Sequence, residues 1–390
     1  MTAPQIEIQI IASLVAIACA IPGVFLVLRK MAMISDAISH AILPGIVVGF
    51  MFSGSINSPL LIILAAATGM LTVVLVEVIN STKMVKEDAA IGLVFPALFS
   101  IGVIMISRSF SNVHIDTDAV LMGEIAFAPF DRMVVAGMDL GPQNAWVMLA
   151  ILAINLMFIS VFFKELKIST FDAGLAASLG FAPVAINYAL MATVSVTTVG
   201  AFDAVGAILV VALMIVPPSA AYLLTDDLKA MLMISVAIGV FSAISGYWAA
   251  RFLDVSIAGS MATMSGVVFL LFFIIAPHRG LLSIMKRKKR QKQEFAQMTL
   301  AIHIHNHSGK NDDVEERRTG HLTRHLNWTA QFGRDVVRQA KKHKLIRLDK
   351  DVIYLTDKGV DFVNAANGLI TSKYHPEFET LRKEFIIFSD

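Results

Sequence analysis

Nine apolar runs, each long enough to cross a lipid bilayer, occupy most of the first 285 residues of this chain. They lie at residues 6–28, 32–53, 58–80, 89–107, 144–163, 184–201, 204–224, 230–250 and 257–277. A membrane-spanning helix needs about 20 apolar residues, and lipid offers no hydrogen-bond partner to an open backbone. The runs therefore predict an all-α polytopic membrane bundle of about nine transmembrane helices.

The composition fits a chain that uses lipid as its solvent. Of its 390 residues, 56% are hydrophobic and 16% are charged, with a mean hydropathy of +0.71, whereas soluble domains are about a quarter charged. The single cysteine, Cys19, lies in an apolar run and excludes an internal disulfide or a thiolate metal cluster. The first run is long enough to span and lacks a basic leader, so we expect no cleavable signal peptide.

Charge divides the chain into two regions. Residues 1–285 carry 11 Lys and Arg against 16 Asp and Glu, whereas residues 286–390 carry 21 against 14 and seven of the ten histidines. We predict a transmembrane domain over residues 1–285, followed by three soluble segments. These are a basic, histidine-containing linker (286–314), for which a helix continuing from the last span is the alternative, a small cytoplasmic α+β domain (315–370) and a C-terminal tail (371–390).

Basic residues near the ends of spans indicate the orientation, because they concentrate on the cytoplasmic side. With the N-terminus outside and the C-terminus in the cytoplasm, most of them fall on the inner side. These are Arg29, Lys30, Lys83, Lys86, Lys164, Lys167, Lys229, Arg279 and the run 286–290, with Arg108, Arg132 and Arg251 as exceptions.

The segment between the fourth and fifth spans is ambiguous. Residues 119–137 are apolar but are interrupted by Glu124, Pro129 and Asp131, so we expect a short re-entrant or interfacial segment, with a tenth span as the alternative. The loop carries His114, Asp116, Asp118, Glu124, Asp131 and Asp139. An acidic outer loop would favour cations near a pathway; the other interpretation is a solvated loop without that role.

An acid and a histidine lie four residues apart in the second run. Asp36 and His40 share one face of a helix, with Ser35 and Ser39 as polar neighbours. Ionisable groups at membrane depth are costly and usually line a pathway or pair. A carboxylate with an imidazole suits Mn(II), Fe(II) or Zn(II), but one helix supplies only two ligands, so a facing copy would have to complete a site. An Asp–His ion pair or a polar patch at the membrane boundary is the alternative.

The stretch SDAISHAILPG at residues 35–45 resembles the signature of the zinc/manganese/iron permease family of bacterial ABC importers. Three further stretches follow the family pattern in the same order: IGLVFPALFSIGV (91–103), LMGEI (121–125) and VGAILVVALMIVP (205–217). The resemblance covers about residues 8–282. Each stretch alone is weak, whereas their combination and order are specific.

This resemblance implies partners and residue roles. The permease would pair with a second copy or a related permease, two cytoplasmic ATPase subunits would drive it, and an extracytoplasmic protein would deliver the metal. The family's metal-contacting positions fall on Asp36 and His40, with Ser39, Pro44 and Gly45 as supporting residues. No cofactor is expected to be bound permanently, because Mn(II), Zn(II) or Fe(II) would be cargo. The sequence lacks a Gly-x-x-x-x-Gly-Lys-Ser/Thr phosphate loop, which agrees with ATP hydrolysis in a separate chain and predicts that this one is not an enzyme.

The segment 169–183 after the fifth span predicts a short amphipathic helix. Ser169 or Thr170 could cap it, Gly180 could end it, and Phe171, Leu175 and Leu179 form an apolar stripe. The spacing of Asp172, Ala176 and Gly180 resembles the coupling helix of this importer class, which seats in an ATPase subunit. An ordinary membrane-surface helix is the alternative.

The basic C-terminal region contains two further patterns. His303, His305 and His307 alternate, so an extended strand would place all three on one face as a regulatory metal site; a solvated linker is the alternative. Residues 344–359 predict strand, tight turn, strand and helix cap, and residues 315–370 are similar to a winged helix-turn-helix. Arg334, Arg338, Lys341 and Lys342 could meet phosphate, but we expect a regulatory or subunit-contact role rather than nucleic-acid binding.

These observations favour the membrane permease subunit of an ABC importer in the bacterial cell membrane. It would move a divalent transition metal inward, with manganese first, then zinc or iron, by ATP-driven alternating access. Two other functions stay open: a secondary metal transporter driven by an ion gradient, and a membrane-anchored transcription regulator that senses metal.

Overall fold

The computed structural model describes residues 2–54, 58–109, 125–135, 138–308, 314–371, 381 and 384–385. The chain divides into two compact units, one ending at Gly280 and one beginning at Leu281. The first unit contains the predicted spans, and the second unit contains the basic C-terminal region.

The first unit is a helical bundle. Its helices are α1 (Ala3–Leu28), α2 (Met33–Ala41), α3 (Leu43–Ser53), α4 (Pro59–Ser81), α5 (Glu87–Ser109), α6 (Gln143–Val161), α7 (Phe163–Phe171), α8 (Ala173–Ser178), α9 (Pro183–Val205), α10 (Ala207–Leu224), α11 (Leu228–Leu253) and α12 (Ile257–Ile275). Within the described residues, nine spans are long and apolar enough to cross a membrane. Helices α2 and α3 together form one of these spans, and the short helices α7 and α8 are not among them. This confirms the predicted multi-pass bundle.

Helix α1 is the most buried of these spans and packs against α6, α9, α10 and α11. Lipid provides no hydrophobic drive between helices, so close backbone approach and interhelical hydrogen bonds hold such bundles together. Gly23 permits the approach, since a Cβ there would lie 2.0 Å from the carbonyl oxygen of Met214. The amide of Asn155 is buried and donates to the carbonyl oxygen of Ala18 at 3.1 Å and to Thr197 Oγ1 at 2.8 Å.

The segment before α6 contains no tenth span in its described part. Residues 119–124, 136 and 137 lie outside the described residues. The described residues before α6 include a 3₁₀ turn (Ala128–Phe130) and an antiparallel hairpin of β1 (Arg132–Val135) and β2 (Met138–Pro142). Pro129 has no amide N–H and favours such a turn over a continuous helix. The re-entrant or interfacial interpretation stays a prediction.

The acidic loop is only partly described. His114, Asp116, Asp118 and Glu124 lie outside the described residues. Asp139 accepts hydrogen bonds from the Gly141 N–H at 2.9 Å and from Arg132, whose guanidinium also lies 3.3 Å from Glu7. These donors lower the pKa of Asp139. Asp139 therefore stabilises the hairpin, and its charge is balanced by Arg132.

The second unit contains α13 (Leu281–Asn306), α14 (Thr319–His325), α15 (Ala330–Lys342), β3 (Ile346–Asp349), β4 (Val352–Leu355) and α16 (Asp357–Thr371). The charge pattern predicts a linker over residues 286–314, whereas residues 286–306 belong to a helix of this unit. The physical reason is an apolar face beyond the basic run: Leu300 and Ile304 are fully buried against Val336, Ile353 and Phe362.

The predicted hairpin and helix cap are confirmed. Strands β3 and β4 pair antiparallel, and the turn residues Lys350 (φ 42°) and Asp351 (φ 76°) both have positive φ, the geometry of a tight two-residue hairpin turn. Thr356 Oγ1 accepts from the Gly359 N–H at 3.1 Å at the start of α16. The order helix, helix, hairpin, helix is compatible with a winged helix-turn-helix, which itself stays a prediction.

Candidate functional site

Asp36 and His40 occupy one face of α2, as the four-residue spacing predicts. Asp36 Oδ1 lies 3.6 Å from His40 Nε2, and the two side chains are 37% and 31% exposed. All other residues from Ile34 to Ala41 are buried, because α2 packs against α4, α5, α9 and α10. The face that the described residues leave uncovered is therefore the face that carries the carboxylate and the imidazole.

The helix is interrupted just beyond this pair. Helix α2 ends at Ala41 and α3 begins at Leu43, with Pro44 in its first turn. Proline has no N–H to donate to the carbonyl four residues earlier, which is that of His40. Pro44 therefore removes the helical hydrogen bond that this carbonyl oxygen would otherwise accept. Spans that are broken at membrane depth commonly line the path of an ion or a substrate.

The ring of His40 lies against an aromatic residue that the pair's spacing did not single out. Phe95 on α5 has its ring centroid 5.8 Å from that of His40, tilted by 37°. This contact limits the orientations of the imidazole. Phe95 belongs to the IGLVF stretch that carries the family resemblance, and this resemblance is the sequence feature that could have identified it.

Ser39 and Gly45 contribute through packing. Ser39 is 3% exposed, and its hydroxyl donates to the Ser35 carbonyl oxygen at 2.9 Å, so it is engaged with its own helix. A Cβ on Gly45 would lie 2.4 Å from Thr68 Oγ1 and 2.5 Å from the Leu64 carbonyl oxygen. Gly45 therefore lets α3 approach α4 closely.

Gly45→Ala should lower the melting temperature of the purified protein, because two packed helices must separate; overpacking costs about 1–3 kcal/mol. Gly92→Ala is the matched control, since Gly92 is helical on α5 and a Cβ there would meet nothing within 4 Å. This control should melt at the same or a higher temperature, as alanine favours a helix over glycine by about 1 kcal/mol. Equal melting of the two variants measured in detergent would contradict the packing role of Gly45.

The predicted helix after the fifth span is present, but its cap differs from expectation. Asp172, not Ser169 or Thr170, caps α8: its Oδ1 accepts from the Leu175 N–H at 2.9 Å. Ser169 and Thr170 instead lie in the end of α7. The predicted end is confirmed, because Gly180 has a φ of +85°.

Helix α8 ends in a pair of hydrogen bonds that explains the Asp-x-x-x-Ala-x-x-x-Gly spacing. The Gly180 N–H donates to the Ala177 carbonyl and the Phe181 N–H to the Ala176 carbonyl, both at 3.0 Å, a Schellman motif that needs a left-handed residue at Gly180. Ala176 is fully buried. Asp172, Ala176 and Gly180 thus cap, anchor and terminate this helix.

The apolar stripe of this segment is exposed. Phe171, Leu175 and Leu179 are 63%, 50% and 56% exposed, respectively. Large apolar side chains grouped in this way mark a surface for a partner or for lipid. We refer to residues 169–183 as the coupling segment, after the role that the resemblance implies for them.

Arg29, directly after α1, connects the end of that helix with the coupling segment and with α9. Its guanidinium donates to Ser169 Oγ at 3.0 Å, Thr170 Oγ1 at 3.1 Å and Asn187 Oδ1 at 2.7 Å. Asp36 follows Arg29 by seven positions in the chain. These contacts could not be read from the sequence, because their partners lie about 140 or more positions away.

The three alternating histidines do not share a face. Residues 303–306 belong to α13 and not to a strand, so His303 and His307, one turn apart, are neighbours with ring centroids 4.7 Å apart. His305 is exposed and points elsewhere. Burial lowers the pKa of His303, which favours its neutral form.

In the described part of the chain, nine helical spans are long and apolar enough to cross a bilayer, and one of them carries an ionisable pair, a combination typical of polytopic membrane transport proteins. The model of the ABC 3 transport family matches residues 6–276. The chain belongs to this family, and its predicted membership of the metal-ion ABC permeases is confirmed.

Two relatives and one solved structure illustrate the similarity. The zinc transport system membrane protein TroD of Treponema pallidum is 45% identical over 359 residues, covering 92% of this chain and 98% of the relative. The manganese transport system membrane protein MntD of Bacillus subtilis is 48% identical over 283 residues, covering 73% and 96%. A chain of the structure "PsaBC from Streptococcus pneumoniae in complex with Fab" is 29% identical with a TM-score of 0.61, covering 73% and 96%. The match to TroD is longer than the first unit and therefore extends into the second unit.

Proposed function

We propose that this chain is the permease subunit of an ATP-driven importer for a divalent transition metal. The observation that carries the proposal is the Asp36–His40 pair on the uncovered face of α2. A carboxylate facing lipid is costly, so this face needs either a protein partner or a water-filled path. A path lined by one acid and one imidazole offers ligands to a passing cation.

A second permease facing this one would complete the site. Two ligands are too few for a transition metal, which takes four or more. A two-fold related copy would add a second carboxylate and a second imidazole, and a related permease with the same signature would do the same. The dimer also removes the cost of exposing Asp36 to lipid.

Manganese is the proposed first cargo, followed by zinc and iron. The pair combines a hard oxygen with a borderline nitrogen and has no thiolate, which suits Mn(II) without excluding the other two. The similarity to MntD of Bacillus subtilis supports manganese, and the longer match to TroD of Treponema pallidum supports zinc.

ATP would act through the coupling segment. Its exposed stripe of Phe171, Leu175 and Leu179 fits a groove on an ATPase subunit, and Arg29 would transmit its movement to α2. This arrangement needs the N-terminus outside and the C-terminus in the cytoplasm. Metal would arrive from an extracytoplasmic binding protein.

For the second unit we propose a winged-helix-like fold with a regulatory or subunit-contact role. Arg334, Arg338, Lys341 and Lys342 are exposed on α15, but a domain that follows membrane spans directly has little need of DNA. A gel-shift experiment with the full chain tests the transcription-regulator alternative, which requires sequence-specific DNA binding.

Metal uptake by proteoliposomes decides between the transport mechanisms. The permease, reconstituted with an ABC ATPase subunit that co-purifies with it, should accumulate radiolabelled manganese and zinc only when ATP reaches the ATPase. A matched sample with an ATPase that cannot hydrolyse ATP should not accumulate metal. Accumulation driven by an ion gradient without ATP would instead establish the secondary-transporter alternative.

A further inference from the structure

Five metal-ligating side chains converge in the second unit. His303 and His307 lie on α13, Glu316 lies in the turn before α14, and His321 and His325 lie on α14. The alternating-histidine pattern did not include the last three, because they approach α13 only through the fold of this unit.

The cluster consists of two sets of three that share Glu316. In the set His303, His307 and Glu316, each residue offers one ligand atom, and these atoms lie within 4.8 Å of one another; the same holds for Glu316, His321 and His325. Glu316 Oε2 lies 3.1 Å from His321 Nδ1 and 3.6 Å from His325 Nε2. The rings of His303 and His325 link the sets, with centroids 6.1 Å apart.

Two atoms at the centre of the cluster lack hydrogen bonds among the described residues. Glu316 Oε2 and His321 Nδ1 are both shielded from solvent, and neither has a hydrogen-bond partner of acceptable geometry. Leaving such a buried group unsatisfied is costly, because it has lost its hydrogen bonds to water without replacing them. A cation between them would satisfy the carboxylate oxygen and the ring nitrogen together.

The surroundings of His303 favour a ligand role. Its Nε2 lies 3.2 Å from the Glu316 carbonyl oxygen. In the tautomer whose Nε2–H donates to this oxygen, Nδ1 carries the free lone pair. Backbone carbonyls commonly orient metal-binding histidines in this way.

We propose that His303, His307, Glu316, His321 and His325 form a second metal site, separate from the Asp36–His40 pair. With four imidazoles and one carboxylate, it should take Zn(II) in preference to Mn(II), because imidazole suits zinc and the affinity order of divalent ions favours it. In a tetrahedral zinc site with bond lengths of about 2.1 Å, the ligand atoms lie about 3.4 Å apart. Ligand atoms that now lie up to 4.8 Å apart would therefore have to approach by about 1.4 Å at most.

A bound ion would fasten α13 to α14. Helix α13 starts the second unit at Leu281, directly after the membrane unit, so the ion would stiffen the segment that leaves the last span. A regulatory role of this site rests on the proposed import function. If that function holds, the second unit senses the metal that has entered and adjusts transport.

Zinc binding by the full-length protein in detergent tests the site. The variants are made in an Asp36→Asn/His40→Gln background, so that the transmembrane pair cannot contribute. Each chelator-treated protein is equilibrated with zinc buffers, and bound metal is counted by mass spectrometry. The background protein should bind about one zinc ion per chain, with manganese at least about 10-fold weaker.

The matched variants separate the cluster from its neighbours. His303→Ala/His307→Ala, His321→Ala/His325→Ala and Glu316→Gln should each weaken zinc binding at least about 10-fold. His305→Ala, an exposed histidine of the same helix, should bind like the background protein. Metal-free melting temperatures of all variants establish that they remain folded.

Unchanged zinc binding in both double variants, or zinc binding lost equally in His305→Ala, would overturn the site. Tighter binding of manganese than of zinc would overturn the assigned metal preference. Zinc binding by the second unit does not depend on transport, so a permease that binds this zinc but fails to import metal would contradict the proposed function and leave the site intact.

Discussion

Asp36→Asn and His40→Gln should each abolish metal uptake while the protein remains folded in the membrane. Each change keeps the side-chain volume and removes a ligand charge or a ligand lone pair. Loss of an outer-sphere partner already weakens metal sites by about 10–100-fold, so loss of a direct ligand should reduce uptake at least about 100-fold. Uptake of radiolabelled manganese and zinc by cells carrying each variant measures this effect.

The same variants distinguish a metal path from a structural ion pair. The double change Asp36→Asn/His40→Gln removes a carboxylate from membrane depth, where its burial is costly, and should leave melting in detergent unchanged or higher. A purely structural pair predicts that this neutral double variant still transports. Asp226→Asn is the control: this acid is 77% exposed and pairs with Arg279, so its loss should change uptake by less than about two-fold. Normal uptake by both single variants would remove Asp36 and His40 from the pathway.

Leu175→Glu/Leu179→Glu should release the ATPase subunit and stop uptake without disturbing the membrane bundle. Both leucines are at least half exposed in this chain, and burying each in a partner groove contributes about 2 kcal/mol. Losing both weakens association at least about 100-fold, and two unpaired carboxylates in an apolar groove add a further cost. The measurement is co-purification of the ATPase with the tagged permease, together with uptake.

Met84→Glu is the matched control for that experiment. Met84 is 87% exposed, in the connection between α4 and α5 outside the spans, so it tests whether any new acid on an exposed apolar position disturbs the complex. ATPase co-purification should be normal with this variant. If the Leu175→Glu/Leu179→Glu protein also retained the ATPase, the coupling segment would be a membrane-surface helix instead.

The spans follow from local sequence because lipid constrains each run independently. Any segment that crosses the bilayer must satisfy its own backbone, so a continuous apolar run of the right length has few alternatives to a helix. The last run illustrates this: hydropathy predicts 257–277, and the helix is Ile257–Ile275. The hairpin of residues 346–355 was predictable for a similar reason, as its turn and alternation are local.

Local patterns failed where a side chain had competing partners. Ser169 and Thr170 are good caps by type, but Arg29 occupies both of their hydroxyls and Asp172 caps the helix instead. The alternating histidines suggested a strand, yet the apolar positions Leu300 and Ile304 are buried in the core of the second unit and favour a helix. Hydrogen bonds to a distant residue outweighed the local preference in the first case, and burial in the core of the second unit did so in the second.

The sequence by itself determined that this chain is a multi-pass membrane protein of the metal-ion ABC permease family, and that Asp36 and His40 share a helical face. Hydropathy and short-range spacing suffice for the spans and the shared face, and the family follows from the resemblance of four stretches to the family pattern. Only the tertiary structure decided that this face is the uncovered one and that Arg29 links α1 to the coupling segment. It alone brought Glu316, His321 and His325 to the histidines of α13. These features depend on contacts between residues far apart in the chain, which no local pattern encodes.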